Sequence, residues 1–202
     1  MRVLVLFAHP LDDSFHATLH RTAVRALREA GHEVDDCDLY AERFDPVLSA
    51  GERRHYHEEP RNREPVAAYV ERLLAAEALV LCFPTWTFGP PAILKGFFDR
   101  VLLPGVSFTL ENGVARPALT HIRHLAAVVT YGRPRHMAWW VGDPPRQLVM
   151  RYLYWLTGRR AKRRYIAQYH MNVATPESCR RFIARVDAAM RRLPLSGDPA
   201  QS

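Results

Sequence analysis

Short apolar runs alternate along the chain with segments whose apolar residues recur at helical spacing. Residues 3–8 and 78–83 are apolar throughout, as expected for parallel strands buried on both faces. Such runs and alternations predict strands at residues 3–8, 33–39, 78–83, 124–130 and 165–173. The helical stripes predict helices after Ser14 and at residues 66–76, 92–103, 143–156 and 176–193.

Local signals place the ends of these elements. Ser14 and Thr175 are predicted N-caps, Asp143 is a predicted cap before Pro144, and Gly31 ends the first helix. Residues 44–65 are polar and indicate a surface excursion with one short helix. The Glu111-Asn112-Gly113 turn predicts two short extended pieces within residues 104–117.

Strands and helices that alternate in this way predict an α/β fold with a doubly wound parallel sheet. Five strands fit the flavodoxin-like order 2-1-3-4-5, in a single domain over residues 1–194 followed by a disordered tail at 195–202. Ligands of such sheets bind beyond the carboxyl ends of the strands, where the strand order reverses. The loops to examine therefore follow Ala8, Phe83 and Thr130.

Composition narrows the class. No apolar run approaches the roughly 20 residues that span a bilayer, and the first strand is too short for a signal peptide, so we expect a cytoplasmic protein without membrane insertion. The three cysteines are too few and too scattered for a disulfide scaffold. The net charge of +7 favours anionic partners, but the basic residues at 159–164 are predicted to form a solvated turn before the last strand, not a nucleic-acid site.

The loop at residues 9–16 joins the first strand to the first helix. Unpaired N–H groups and the dipole of a helix N-terminus favour phosphate, and the Ser14 hydroxyl and the His9 ring add donors. The same residues also fit a plain capping turn with Asp12 or Asp13 as local cap.

The loop at residues 83–91 carries two aromatic residues between prolines. Such a restricted loop suits the stacking of a flat ring, with main-chain N–H groups on the polar edge of the ring. Alternatively, Trp86 and Phe88 pack into the core, a position that suits Phe88 better than Trp86.

The segment Phe83-Pro84-x-Trp86-x-Phe88-Gly89-x-Pro91, with the helix through Val101, resembles the flavin loop of the NAD(P)H:quinone oxidoreductase family. That family includes diaphorase-type enzymes and ancillary reductases of potassium efflux systems. His9-Pro10 and Ser14-Phe15 resemble its flavin phosphate loop, and the similarity spans residues 2–132.

The resemblance implies a flavin, FAD or alternatively FMN, with NAD(P)H as co-substrate, a quinone-like acceptor and a homodimer. The flavin phosphates would contact His9, Ser14, Phe15 and His16. The isoalloxazine ring would lie against Pro84, Thr85, Trp86, Thr87 and Phe88, with its pyrimidine edge at Thr130, Tyr131 and Gly132. An apolar face of helix 92–103, at Phe97, Phe98, Val101 and Leu102, also suggests a dimer surface.

The third loop departs from the family pattern, because Arg133-Pro134 follows Gly132 where a second glycine is common. Arg133 either places a cation near the flavin or points to solvent. The tyrosine and histidine of the family's hydride-transfer face have no clear counterpart, which leaves Tyr131 and His136 as catalytic candidates. The wall of the acceptor pocket is predicted in residues 132–142.

We therefore expect an enzyme that passes two electrons from NAD(P)H through flavin to a quinone-like acceptor. A first alternative is a non-enzymatic flavin- or nucleotide-binding regulatory subunit, for example of a potassium efflux transporter. A second is a zinc-dependent deacetylase, because residues 8–13 resemble an Ala-His-Pro-Asp-Asp-Glu zinc motif that Leu11 interrupts. Its further ligands would come from His55 and His57 or from His121 and His124.

Overall fold

The computed structural model describes residues 1–194; the tail predicted to be disordered lies outside them. The strands are β1 (Arg2–Phe7), β2 (Glu33–Asp38), β3 (Ala78–Pro84), β4 (Phe108–Glu111), β5 (Val114–Pro117), β6 (His124–Thr130) and β7 (Lys162–Gln168). The α-helices are α1 (Phe15–Glu29), α2 (Ala50–Arg54), α3 (Ala67–Ala75), α4 (Ala92–Val101), α5 (Arg135–Trp140), α6 (Pro144–Gln147), α7 (Tyr154–Leu156) and α8 (Pro176–Arg191). A π-helix (Leu148–Leu153) joins α6 to α7, and 3₁₀ turns cover Arg61–Val66 and Met171–Val173.

Five parallel strands form the central sheet in the order β2-β1-β3-β6-β7. Because β4 and β5 form a separate two-stranded sheet, this is the predicted order 2-1-3-4-5, and the flavodoxin-like prediction is confirmed. Asn112 and Gly113 have φ angles of 51° and 77°, which suit the tight turn of the small antiparallel hairpin.

Alternate residues of the central strands fill two cores, one on each face of the sheet. All seven residues of β3 are buried. Leu79, Leu81 and Phe83 pack with α3, α4 and the π-helix, whereas Val80 and Cys82 pack with α1 and α8. The apolar runs of the sequence therefore correspond to strands that are covered on both sides, as predicted.

The excursion at residues 44–54 is anchored on α4. A Cβ atom on Gly96 would lie 2.3 Å from the Pro46 carbonyl oxygen, so only glycine allows this crossing. One turn further on, the buried Arg100 guanidinium contacts the Glu52 carboxylate at 2.6 Å and lies over the Phe44 ring. Residues 44–54 of the same chain therefore pack against α4.

The predicted dimer surface on α4 is consequently wrong. Phe97, Phe98, Val101 and Leu102 are each buried, with at most 7% of the residue exposed, and belong to the core under α4. They are covered by the chain itself and offer no apolar face to a partner.

The region after β6 differs most from the prediction. Residues 135–140 form α5 where a loop was expected, and the predicted helix 143–156 is interrupted by the π-helix. Asp143 is left-handed, with φ 45° and ψ 60°, and makes no capping bond, because its carboxylate instead accepts a hydrogen bond from the Tyr131 hydroxyl. Thr175 does cap α8, in a capping box with Ser178.

The last strand begins earlier and ends sooner than predicted. Lys162, Arg163 and Arg164 are exposed residues of β7 and not of a turn. Strand β7 is an edge of the sheet, and charged residues on an edge strand discourage pairing with another chain. Within residues 1–194, no helix combines the length and the apolar character needed to cross a bilayer.

Candidate functional site

Three loops meet at the carboxyl end of the sheet, as predicted from the strand order. The ring centroids of His9 and Trp86 lie 5.9 Å apart, and this contact joins the first loop to the second. The His16 Nδ1 atom shares a 3.2 Å hydrogen bond with the Thr130 hydroxyl, which joins the first loop to the third. Thr85 closes the triangle, since its N–H donates to the Thr130 carbonyl at 2.8 Å.

The first loop presents the N-terminus of α1. The Ser14 hydroxyl oxygen accepts from the Ala17 N–H at 3.0 Å, so Ser14 caps the helix as predicted. The N–H groups of Phe15 and His16 precede the first intrahelical bond and remain available to a ligand. His9 Nδ1 accepts from the Leu11 N–H at 3.1 Å, which holds the ring beside Trp86.

The second loop is a tight turn in a strained conformation. Trp86 and Gly89 exchange main-chain bonds of 3.0 and 2.9 Å, while Thr87 and Phe88 between them have φ angles of 51° and 55°. Left-handed backbone at a β-branched and a bulky residue is rare and clusters at ligand sites. The sequence carried no signal for it, since glycine or asparagine is the usual residue in such turns.

This turn exposes donors and an aromatic face together. Within the described part of the chain, the Thr87 and Phe88 N–H groups donate to no acceptor. Trp86 is 42% exposed, whereas Phe88 is partly buried against the core under α4, as the sequence suggested. The turn therefore offers a flat apolar surface beside two unpaired N–H groups, the arrangement that a polar-edged aromatic ring requires.

His16 is a buried residue that connects the first and third loops, and its ring is not an exposed donor. Only 3% of the residue is accessible, and its Nε2 atom is buried without a hydrogen bond of normal geometry to residues 1–194. Burial, followed by the neighbouring His9 and His20 side chains, lowers the pKa of His16 to about 3. The ring is therefore neutral at pH 7, and the predicted phosphate contact is left to its main-chain N–H.

The third loop is fixed by the segment after β7. Main-chain bonds run from the His170 N–H to the Arg133 carbonyl and from the Met171 N–H to the Tyr131 carbonyl, both at 2.9 Å. A Cβ atom on Gly132 would come within 3.0 Å of the Asn172 side chain. Arg133 is exposed. The predicted strand through residue 173 thus ends at Gln168, and the remainder supports the loop.

The structure contradicts a catalytic contact for the Tyr131 side chain. Its ring is 0% exposed and stacks on Tyr169 with 4.5 Å between ring centroids. Its hydroxyl donates to the Asp143 carboxylate at 2.6 Å and accepts from Tyr165 at 2.5 Å. Burial, followed by the negative charge that would arise beside Tyr165, raises the pKa of Tyr131 far above its usual range. Tyr131 therefore joins β6 to α6 as a neutral core residue.

The other catalytic candidate, His136, is exposed on α5. It makes no hydrogen bond or ion pair with the rest of residues 1–194. Nothing in its surroundings holds its ring in one position. A catalytic role for His136 stays a prediction.

A cavity of about 350 Å³ lies beside the third loop. Its walls come from α5, α6 and the π-helix, together with Tyr169 after β7. Of the segment 132–142, which was predicted to form the wall of an acceptor pocket, Arg135 and Trp139 line this cavity, whereas Met137 and Trp140 do not. The sequence missed Arg146, Met150 and Arg151, because the helix that carries them was placed without regard to this loop.

The zinc alternative finds no ligand set in the described residues. Within residues 1–194, no three His, Cys, Asp or Glu side chains lie together in a way that could hold a metal ion. Asp12 and Asp13 are exposed, and the His9 ring is bonded to the main chain of Leu11.

Comparison with known proteins agrees with this geometry. The sequence profile of the family described as flavodoxin-like fold matches residues 1–185. The chain belongs to the flavodoxin-like fold family. Among curated relatives, NAD(P)H dehydrogenase (quinone) 1 of Rattus norvegicus is 32% identical over 147 residues, which cover 65% of this chain and 54% of the relative. The chain spans about half the length of the curated relatives it matches.

Solved structures of flavodoxin-like proteins cover nearly the whole chain. The NAD(P)H:quinone oxidoreductase from Methanothermobacter marburgensis has a TM-score of 0.82 at 27% identity and covers 96% of this chain and 99% of its own. An FMN-dependent NADH-azoreductase from Bacillus anthracis, solved with FMN, has a TM-score of 0.79 at 17% identity over 96% and 99% of the two chains, and shows the fold alone. The predicted resemblance to the NAD(P)H:quinone oxidoreductase family is confirmed.

Proposed function

We propose that this protein is a flavin-dependent oxidoreductase that uses NAD(P)H to reduce a quinone-like acceptor by two electrons. The observation that carries the proposal is the strained turn at Thr87 and Phe88, where an exposed Trp86 face lies beside two unpaired N–H groups. Strain of roughly 1–3 kcal/mol for each such residue persists where the surroundings impose it, typically at a ligand site.

The donor set fits a flavin. Trp86 supplies a stacking face, and the Thr87 and Phe88 N–H groups suit the heteroatoms of the ring edge. The N-terminus of α1, capped by Ser14, suits a phosphate. These groups lie on loops that contact one another, so one extended molecule can bridge them.

The flavin, when bound, would supply the hydride chemistry, and the protein supplies binding and orientation. Trp86 and the turn would orient the ring, while His16, neutral and buried, would keep the first and third loops together through Thr130. Neither role needs a nucleophile or a charged acid. The absence of an exposed tyrosine or histidine on the third loop therefore does not weaken the proposal.

Two measurements identify the cofactor and the kinetic mechanism. Cofactor released by heat and separated by chromatography identifies FAD, the expected flavin, or FMN. Initial rates at several NADPH and quinone concentrations should give parallel double-reciprocal lines, because the oxidised dinucleotide would leave before the quinone is reduced. A flavin-loaded protein without turnover of NADH or NADPH would favour the regulatory subunit instead.

The homodimer implied by the resemblance is part of this proposal, although the surface first suggested for it is buried. We expect sedimentation velocity of the flavin-loaded protein to give the mass of two chains. A fully active species with the mass of one chain would contradict the homodimer.

A further inference from the structure

The cavity beside the third loop has an unusual charge. Arg135, Arg146 and Arg151 line it, and Asp143 is the acidic residue among its walls. None of the three arginines forms an ion pair with a carboxylate of residues 1–194. Arg151 donates to the Gln147 amide oxygen at 3.2 Å, and Arg146 lies over the Tyr165 ring.

Two less exposed arginines elsewhere in the fold are paired with carboxylates. Arg72 contacts Asp35 at 2.7 Å and Glu42 at 2.8 Å, and Arg100 contacts Glu52. The Asp143 carboxylate, which accepts from the Tyr131 hydroxyl, is a single negative charge in a lining that has three guanidinium groups. The cavity consequently keeps an excess of positive charge that the chain itself does not neutralise.

Two aromatic side chains complete the cavity. Trp139 is 79% exposed on α5, and Tyr169 is held in place by its stacking on the buried Tyr131 ring. A large indole face beside guanidinium groups suits an aromatic ring that carries a negative substituent. Neither a simple inorganic anion nor a neutral apolar ring would use both features.

The cavity lies next to the third loop, whose pyrimidine-edge contact we propose. Arg135, which lines the cavity, directly follows Pro134 of that loop, and Asp143 and Tyr169 both contact the buried Tyr131. A molecule in this cavity would therefore lie next to the third loop.

We propose that this cavity binds the electron acceptor, and that the acceptor is an aromatic molecule with an acidic substituent such as a carboxylate or sulfonate. The role of the bound molecule as electron acceptor rests on the proposed function, whereas the binding of an aromatic anion does not. The phosphates of NADPH are a second source of negative charge, and the experiment separates the two.

Direct binding tests the cavity without any electron transfer. Calorimetry of the flavin-loaded protein would compare naphthalene sulfonate with the neutral naphthalene sulfonamide. We expect the sulfonate to bind more tightly, and Arg135→Gln and Arg151→Gln each to weaken it about 2- to 5-fold, the range of exposed ion pairs. Arg180→Gln, an exposed arginine of α8 on the opposite face of the sheet, is the matched control and should change nothing.

Steady-state kinetics then assign the anion to acceptor or dinucleotide. Both cavity variants should raise KM for a naphthoquinone sulfonate and leave KM for the neutral menadione and for NADPH unchanged. Equal binding of sulfonate and sulfonamide, or a rise in KM for NADPH alone, would overturn the proposal. Arginine-dependent sulfonate binding by a protein that oxidises neither NADH nor NADPH would confirm the anion cavity and overturn the proposed function.

Discussion

Trp86 is the exposed aromatic residue at the start of the strained turn. A large aromatic side chain that is 42% exposed contributes little to the core. We predict that Trp86→Ala weakens flavin binding by roughly 1–3 kcal/mol, by analogy with the loss of aromatic stacking on nucleic-acid bases. Fluorescence titration with the flavin measures this change.

Trp140→Ala is the matched control for Trp86→Ala. Trp140 is 79% exposed on α5 but lies outside the three loops, so its removal should leave flavin affinity unchanged. A drop in thermal stability of the Trp86 variant with intact flavin affinity would instead make Trp86 a packing residue.

Because the pKa of His16 is lowered in the folded chain, we expect the free energy of unfolding to depend on pH. Its pKa is lowered from 6.5 to about 3 in the folded chain, so between these values the unfolded chain binds a proton that the folded chain does not. Stability from this residue is therefore complete above pH 6.5 and falls as the pH decreases towards 3. The slope is at most about 1.4 kcal/mol per pH unit.

Urea unfolding at several pH values measures this slope. In His16→Gln the decrease in the free energy of unfolding below pH 6.5 should be smaller than in the unaltered chain, whatever the stability of the variant at pH 7. The exposed residue His136 supplies the control, since His136→Gln should keep the full slope. Identical slopes in all three proteins would mean that His16 titrates normally.

Among the elements, α4 shows how a single glycine sets a crossing. Gly96→Ala would push a methyl group into the Pro46 carbonyl, and we predict a loss of about 1–3 kcal/mol in the free energy of unfolding, as for an overpacked site. Gly51→Ala, on the exposed helix α2, meets no atom closer than 3.8 Å. It should raise stability by roughly 0.5–1 kcal/mol, because alanine favours helix over glycine. Equal effects in denaturant unfolding would contradict the close contact.

Elements with a clear local pattern of apolar or capping residues could be predicted from the sequence. Elements whose form depends on side-chain contacts between distant positions could not. Local residues determine the apolar strands β3 and β6 and the cap of α8. All three were predicted correctly. Asp143 looked like a cap, but the Tyr131 hydroxyl is a competing partner 12 positions away. Helix α5 was missed because its two exposed tryptophans hide any amphipathic pattern.

The candidate site divides in the same way. Residue types identified the three loops, and the strand order brought them together. Their conformations needed the structure: the left-handed turn at Thr87 and Phe88 uses residues that avoid it in isolation. The burial of His16 and Tyr131 depends on packing from α1 and the segment after β7, which no local pattern reveals.

In the whole molecule, a sheet buried on both faces fixes three loops at its carboxyl edge, next to a positively charged aromatic cavity. We propose that these loops hold a flavin ring, and that electrons enter from NAD(P)H and leave to an acceptor at this edge.

Anaerobic stopped-flow spectroscopy follows these two electron transfers one at a time. Mixing the flavin-loaded protein with NADH or NADPH should abolish the visible flavin absorption in a single turnover, and subsequent mixing with a quinone should restore it. Full bleaching by at least one dinucleotide and full recovery with the quinone is the predicted result. Flavin that stays oxidised with both dinucleotides would contradict the account and leave a flavin-binding protein without this activity.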